Sequence, residues 1–264
     1  MTRDNLKISV ITVSYNSRAT LRDTIESVLS QTYDDIEYIV VDGASTDGTV
    51  DLIRESEPRF GGRMRWVSEP DKGLYDAMNK GFAMATGDVV GILNSDDFYT
   101  SPDVLSTVAA RMGQGGVDAV YADVHYVAHD DVTRMVRYYT SSFFRRWMMC
   151  MGFMPAHPSF YCRRAVYARY GDFDTSFRVA ADFENLLRLL YIGRIRTAYI
   201  PKDFVTMRVG GVTTSGLRSH LAIMRDHLRA LRKNRLPSSV FLLALRYPYK
   251  LAEKFFSVAW RRRK

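Results

Sequence analysis

Cysteine is scarce in this chain of 264 residues, which contains only Cys150 and Cys162. Two thiols cannot build a framework of disulfides, so we expect both to be reduced and packed in the interior of a cytoplasmic protein. No run of 18 apolar residues occurs, and no helix is therefore expected to span a bilayer. The first letters, MTRDNLKISVITVSYN, carry polar residues through their apolar stretch, which is not typical of a secretory leader.

Several motifs of nucleotide chemistry are also missing. No Gly-x-Gly-x-x-Gly follows the first apolar run, and no Gly-x-x-x-x-Gly-Lys-Ser/Thr occurs anywhere, which removes the main support for dinucleotide-binding and kinase-like functions. Zinc-finger spacing and a basic zipper are absent as well. We therefore expect no nucleic-acid partner.

Negative charge is lacking at one end only. Residues 218–264 contain 13 of the 37 Lys and Arg but two of the 29 acidic residues, so this segment carries +11 and the rest of the chain −3. The excess of positive charge is a property of this tail, and an anionic partner would meet the tail first.

Apolar patterns alternate regularly over the first hundred residues. Four runs predict strands, and each of the first three is followed by helical periodicity. The strands are KISVITVSYN (7–16), IEYIVVDGAS (36–45), RMRWVSEP (63–70) and DVVGILNSDD (88–97), and the helices cover 18–31, 46–56 and 73–85. Ser45 or Thr46 is expected to cap the second helix. This alternation predicts an α/β fold with a mostly parallel sheet covered on both faces.

Later residues follow another pattern. DAVYADVHYV (118–127) and TRMVRYYT (133–140) predict an antiparallel addition to the sheet, around the turn AHDD. A helix over 182–193 and a strand over 195–209 follow. The loop GGVTTSG (210–216) is either a mobile cover over a ligand or a plain glycine loop.

Polar residues follow each of the first four strands. Ligands of open α/β sheets bind beyond the carboxyl ends of the strands, so these exits are expected to form one rim. The rim residues are Tyr15, Asp42, Asp71, Lys72, Asp96 and Asp97. Asp and Asn are also ordinary turn formers, and it is the coincidence of all four exits that favours a site.

The stretch NSDD (94–97) places two adjacent carboxylates at the last of these exits. Hard oxygen ligands suit Mn²⁺ or Mg²⁺, which bind proteins through one or two carboxylates together with substrate phosphates. The sequence therefore predicts a divalent cation and a diphosphate ligand at Asp96 and Asp97.

Two segments, ISVITVSYNSRATLRDTIESVLSQTYDDIEYIVVDGASTDGT and SEPDKGLYDAMNKGFAMATGDVVGILNSDD, resemble the family 2 glycosyltransferases, which have the GT-A fold. The resemblance is close over 7–97 and looser to about 215. The form EPDKGLYDAMNKG is similar to enzymes that build bacterial polysaccharides and glycolipids. The family resemblance implies a metal-dependent, inverting transfer of a sugar from a UDP- or GDP-linked donor to a saccharide acceptor. We expect this acceptor to be linked to a lipid.

The resemblance also implies roles for individual residues. Tyr15, Asp42, Lys72 and Asp96 match contacts to the donor nucleotide, and Asp97, with Asp96, matches the metal ligands. The family often has Asp where this chain has Asn94, which puts metal affinity in question.

On the acceptor side, Asp182 in VAADFENLLRLL aligns with the catalytic base, and Ala181 replaces the Glu that usually precedes it. A structural reading of Asp182, as a charge favoured at a helix start, remains open. Glu184 is the second choice for the base. His157 and Arg188 match acceptor-side positions, although a purely structural His157 is nearly as good an interpretation.

These considerations divide the chain into a GT-A domain (1–217), with a nucleotide half (about 1–100) and an acceptor half (about 101–217), and a basic helical tail (218–264). Large apolar residues next to basic ones suit a helix lying on the anionic inner leaflet of the membrane, and packing on the main domain is the alternative. Two rival functions stay open: a sugar nucleotidyltransferase, and a non-catalytic nucleotide-binding or membrane scaffold.

Overall fold

Alternating buried strands and amphipathic helices build a three-layer α/β structure. The computed structural model describes residues 6–210 and 217–248, without the side chains of 217–220. Most of the loop GGVTTSG and the tail beyond residue 248 lie outside the described residues, so the predictions made there stay untested.

Nine strands are found in the described part of the chain. They are β1 (Ile8–Ser14), β2 (Ile36–Asp42), β3 (Met64–Ser68), β4 (Val89–Ile92), β5 (Phe98–Tyr99), β6 (Ala119–Val127), β7 (Met135–Tyr139), β8 (Tyr161–Arg163) and β9 (Thr197–Arg208). The helices are α1 (Arg18–Leu29), α2 (Thr49–Ser56), α3 (Leu74–Met84), α4 (Val104–Gly113), α5 (Arg164–Tyr170), α6 (Ala181–Leu186), α7 (Leu217–Lys233) and α8 (Val240–Ala244). Short 3₁₀ turns cover Glu57–Phe60, Arg146–Met151 and His157–Ser159, and a π-helix, Leu187–Ile192, continues α6.

The strands form one sheet in the order β3-β2-β1-β4-β8-β6-β9-β5, with β7 also paired to β6. The pairs among β1 to β4, and the pair β6 with β9, are parallel. As predicted, β7 pairs antiparallel with β6. The sheet is mostly parallel, and the short antiparallel strands β5 and β8 were not foreseen.

Alternate side chains along the strands pack into two separate hydrophobic cores, one on each face of the sheet. Ile8 and Val10 of β1 pack with α1, α2 and α4 on one face, whereas Ile11 and Val13 pack with α3, α5, α6 and α7 on the other. This division follows from the two-residue period of a strand, and it confirms the predicted covering of both faces.

Two local predictions need correction. The second helix begins at Thr49 after Gly48, which has a left-handed φ of 88°, and neither Ser45 nor Thr46 caps it. Instead, the Ser45 hydroxyl binds Asp42. The fourth strand ends at Ile92, and NSDD forms a turn in which the Asp97 N–H donates to the Asn94 carbonyl.

The described part of the tail packs on the domain. Ala230 and Leu231 of α7 and Leu243 of α8 are fully buried, and the His227 ring stacks on Phe183 with centroids 3.9 Å apart. Among the described helices, none combines the length and hydropathy needed to cross a membrane.

Candidate functional site

Parallel pairing places the ends of three strands side by side at one edge of the sheet. Ser14 at the end of β1 is in register with Asp42, and Asp42 is in register with Ser68. These are the first, second and third of the exits predicted from the sequence, and the fourth, after β4, lies beside β1.

Asp42 is the centre of this edge and has no exposed surface. Its carboxylate accepts hydrogen bonds from the hydroxyls of Ser14 (3.0 Å), Ser45 (2.5 Å) and Ser68 (2.7 Å), and from the Ser45 N–H. The expected contact of Asp42 with a nucleotide stays a prediction. In this structure the carboxylate holds three strand ends together and presents no oxygen to solvent.

Tyr15, by contrast, is 67% exposed directly after β1. The next residue, Asn16, has a left-handed φ of 48°, and its amide oxygen accepts the Thr46 N–H at 2.9 Å. The Asn16 N–H in turn donates to the Ser45 hydroxyl. The turn that projects the Tyr15 ring is therefore anchored on both sides, as suits a flat platform for a ligand.

Lys72 is exposed in the loop between β3 and α3. Its backbone N–H donates to Asp76 at 3.0 Å, which shapes the start of α3. Its side chain is exposed, four residues after the end of β3.

The turn NSDD directs its two carboxylates differently. Asp97 is 1% exposed and accepts the side-chain N–H of Asn94 on Oδ2 at 3.0 Å, while Asp96 is only half-buried. Arg208 closes the turn from β9 by donating to the Asp96 carbonyl. Asp96 is thus the carboxylate more open to a ligand.

The surroundings of Asp96 and Asp97 disfavour the charged forms of both carboxylates. Burial, and then the charge of Asp96, raise the pKa of Asp97 well above its ordinary value. Burial also raises the pKa of Asp96, in spite of the nearby Arg208. A cation would relieve both effects, because it stabilises the charged forms of the two carboxylates.

One carboxylate oxygen of this turn also suits a divalent cation. The Oδ1 atom of Asp97 is buried without a hydrogen-bond partner in the described structure, which is unusual for a carboxylate oxygen. No group of three or more His, Cys, Asp or Glu side chains encloses a cation within residues 6–210 and 217–248. Two carboxylates with an unsatisfied oxygen fit Mn²⁺ or Mg²⁺ whose remaining ligands are phosphate oxygens and water.

A second cluster joins the two halves of the chain. The Tyr75 hydroxyl, on the first turn of α3, donates to the Val179 carbonyl at 2.6 Å and lies 3.4 Å from Oδ1 of Asp182. The Phe183 N–H also donates to this Oδ1 at 2.8 Å. Among the residues that the structure describes, Oδ2 of Asp182 accepts no hydrogen bond and is available to a ligand.

His157 completes this cluster. Burial lowers its pKa, and the charge of Asp182 opposes that effect. Burial raises the pKa of Asp182, while His157, the Phe183 N–H and Tyr75 oppose the rise. The His157 and Tyr75 rings both contact Phe173, with centroids 5.8 and 5.5 Å from it. The structure thus groups Asp182 and His157, two residues selected from sequence, with Tyr75.

Tyr75 was missed because its partner is more than a hundred residues away. It is 6% exposed on the core-facing side of α3. A buried tyrosine needs a partner for its hydroxyl, and that requirement was the available signal.

Glu184 and Arg188 form a hydrogen-bonded ion pair with each other. Glu184 is fully buried, and both of its oxygens accept from Nε of Arg188, at 3.0 and 2.9 Å. Arg188 also donates to the carbonyls of residues 170–172. This pair fastens the start of the 171–180 loop to α6, and acceptor binding by either residue stays a prediction.

Comparison with known proteins gives a consistent result. A family model described as Glycosyl transferase family 2 matches residues 9–171. An uncharacterized glycosyltransferase of Mycobacterium tuberculosis is 37% identical over 185 residues, 69% of this chain and 68% of that protein. A PGL/p-HBAD biosynthesis glycosyltransferase of Mycobacterium bovis is 28% identical over 267 residues, 97% of this chain and 98% of that protein.

Solved structures share the fold. The mannosyltransferase PcManGT from Pyrobaculum calidifontis, in complex with GDP-Man and Mn²⁺, has a TM-score of 0.63 at 18% identity, covering 97% of this chain and 86% of that one. S. aureus TarS 1-349 in complex with UDP-GlcNAc has a TM-score of 0.61 at 16% identity, covering 86% and 66%. The present chain spans 40% of a longer TarS chain. The predicted GT-A fold is confirmed by these neighbours.

Proposed function

The chain belongs to glycosyl transferase family 2, and from that membership we propose that it is an inverting, metal-dependent hexosyltransferase. The donor is a nucleoside-diphosphate sugar, and the acceptor is a saccharide carried on a lipid. The observation that supports this most is the position of Asp182. Its half-buried carboxylate is joined through Tyr75 to α3, a helix of the nucleotide half, and its Oδ2 is free to accept a proton.

In this mechanism Asp182 is the general base. An acceptor hydroxyl oxygen bonds to the anomeric carbon while its proton passes to Oδ2 of Asp182. The bond from that carbon to the diphosphate oxygen breaks, and its electron pair stays with the departing diphosphate. A raised pKa strengthens the base, and such a base typically contributes about 10²- to 10⁴-fold to the rate.

Asp96, together with Asp97, would hold the divalent cation, which supplies positive charge for the leaving diphosphate. Lys72, which is exposed in the loop after β3, would add a second positive charge. The mannosyltransferase neighbour contains GDP-Man and Mn²⁺, and TarS contains UDP-GlcNAc, which supports a nucleotide-sugar donor.

The lipid-linked acceptor rests on two supports. A relative that matches nearly the whole chain is named for PGL/p-HBAD biosynthesis, a glycolipid assignment. In addition, Phe241 of α8 (73%) and Leu245 directly after it (40%) are exposed, and a basic segment follows them in the sequence. We propose that the enzyme works in the cytoplasm, bound peripherally to the anionic inner leaflet of the membrane.

The test is an assay of the purified protein with UDP-, GDP- and dTDP-linked sugars, with and without Mn²⁺, and with extracted membrane lipids as acceptors. We expect nucleoside diphosphate release from one donor, at least about 100-fold slower in Asp182→Asn and in Asp96→Ala. Asp51→Asn, on the exposed face of α2, is the control and should keep full activity.

Two outcomes would point elsewhere. Pyrophosphate release from a nucleoside triphosphate and a sugar phosphate would favour the nucleotidyltransferase. Nucleotide binding without turnover on any donor and lipid would favour the scaffold.

A further inference from the structure

Gly43, directly after β2, leaves a space at the rim that another residue occupies. Its N–H donates to the Ser14 carbonyl at 2.8 Å, which fixes it beside the end of β1. A Cβ on Gly43 would lie 2.5 Å from Oδ2 of Asp71 and 3.3 Å from the Tyr15 ring. The Asp71 carboxylate thus fills the position of a side chain on residue 43, next to the exposed aromatic platform.

The two oxygens of Asp71 have different roles. Oδ1 accepts the Gly73 N–H at 2.7 Å, which orients the carboxylate within its own loop. Oδ2, the atom nearest Gly43, accepts no hydrogen bond from the residues that the structure describes. Asp71 therefore presents one free acceptor toward the space beside Tyr15.

Asp42 cannot serve this purpose in the present structure, because its oxygens are enclosed by three serine hydroxyls. Asp71, which is half-buried, is the carboxylate left beside Tyr15. We propose that Asp71 selects the nucleobase of the donor, and that the base is uracil or thymine. This inference rests on the proposed function.

The hydrogen-bonding groups of the nucleobases favour uracil or thymine as the base that Asp71 binds. Uracil and thymine present a single imide N3–H between two carbonyls, which matches one free carboxylate oxygen. Guanine presents N1–H and an amino group side by side and is best matched by two oxygens, of which Oδ1 is already engaged by Gly73. Cytosine presents an unprotonated N3, which a carboxylate repels. The Tyr15 ring supplies stacking, which is tolerant of sequence and adds affinity for any base.

Calorimetric binding of UDP, GDP, CDP and UDP methylated at N3, all with Mn²⁺, tests this without any acceptor. We expect the wild type to bind UDP about 10- to 100-fold more tightly than the methylated analogue, which lacks only the N–H donor. Asp71→Ala should weaken UDP binding by a similar factor and abolish the difference between UDP and the analogue. Asp71→Asn, which keeps the shape, should weaken UDP binding less.

Two further variants make the test specific. Glu69→Gln removes a charge from the same loop, where Glu69 pairs with Lys80, and should leave UDP binding within about twofold. Gly43→Ala adds a methyl group where the Asp71 oxygen lies, and it should weaken UDP binding although Asp71 is retained. Thermal melting of each variant identifies any that fails to fold.

The binding results distinguish a failure of the proposed role of Asp71 from a failure of the proposed glycosyltransferase function. Tight binding of GDP, or equal binding of UDP and its methylated analogue by the wild type, would overturn the role of Asp71 and leave the glycosyltransferase proposal standing. Failure to bind any nucleoside diphosphate, in a folded protein with Mn²⁺, would overturn both.

Discussion

The Tyr75 hydroxyl lies 3.4 Å from Oδ1 of Asp182, so a helix of the nucleotide half directly contacts the proposed base in the acceptor half. The same hydroxyl is bound to the Val179 carbonyl at 2.6 Å, just before α6. Movement of the loop that leads into α3 would therefore shift Tyr75 and change the orientation of the Asp182 carboxylate. This contact makes Tyr75 a positioning residue for the base.

Tyr75→Phe should reduce kcat by about 3- to 10-fold, because one hydrogen bond that orients Asp182 is lost. That bond also lowers the pKa of Asp182, so its removal should move the acidic limb of the pH–rate profile to higher pH. Tyr38→Phe, whose hydroxyl binds Thr12 in the other core, is the control. An unchanged acidic limb in Tyr75→Phe would contradict the positioning role.

Glu184→Gln should reduce stability but not activity, and Asp182→Asn should reduce activity but not stability. Removing the Glu184 charge leaves Arg188 largely buried without its counter-ion, and we expect a loss of about 3 to 5 kcal/mol in the free energy of unfolding. Activity per folded molecule should change little. Asp182→Asn should abolish turnover with no loss of stability, since burial already disfavours its charge. Urea unfolding combined with the donor assay checks both.

Stability at low pH should depend on Glu37. Burial alone would raise its pKa, but hydrogen bonds from Ser9, Thr86 and Lys7 outweigh burial and lower the pKa to about 2. A group whose pKa is depressed in the folded state stabilises it fully above the unfolded value, near 4.5, and loses that contribution as pH falls toward 2.

Glu37→Gln should therefore destabilise the protein by roughly 2 kcal/mol at pH 7, after allowance for solvent screening. The difference from wild type should shrink as pH falls from 4.5 to 2. Urea unfolding at several pH values measures it, and a difference that stays constant with pH would refute the linkage.

Asn94→Asp should make the protein more dependent on a cation. The Asn94 amide now donates to Asp97 at 3.0 Å, and a carboxylate in its place would repel that residue. We expect a lower Tm without metal and a larger rise in Tm on addition of Mn²⁺ than in the wild type. Asp103→Asn, in which the carboxylate lost is the exposed partner of Lys202, serves as the comparison. Equal metal-induced shifts in Asn94→Asp and wild type would argue against a cation at this turn.

Membrane binding should depend on the exposed apolar residues in and directly after α8. The double variant Phe241→Ser and Leu245→Ser changes only side chains that are exposed, so folding should be retained. Sedimentation with vesicles containing anionic lipid should fall several-fold, and more so at high salt. Turnover on a water-soluble acceptor should not change. Undiminished sedimentation would place the contact elsewhere.

The sequence predicted strands β1 to β4, β6, β7 and β9, the helices that connect the first four strands, and the location of the rim. Their signals are local: a period of two or of 3.6, and polar residues at strand ends. The right-handed crossover then brings the exits of consecutive parallel strands to one edge without further information. For the same reason NSDD could be predicted as a metal-binding turn. The length of its strand was overestimated, because Leu93 continues the apolar run beyond the last paired residue.

The tertiary structure alone decided which of the polar residues are available for binding. Asp42 and Asp71 are both carboxylates at or shortly after strand ends. Asp42 accepts hydrogen bonds from three serine hydroxyls, whereas one oxygen of Asp71 accepts none from the described residues. Likewise, Tyr75 reaches Asp182 only because α3 and α6 share one core. Such contacts join residues far apart in the chain, and they are set by how side chains pack between layers, which no local pattern in the sequence records.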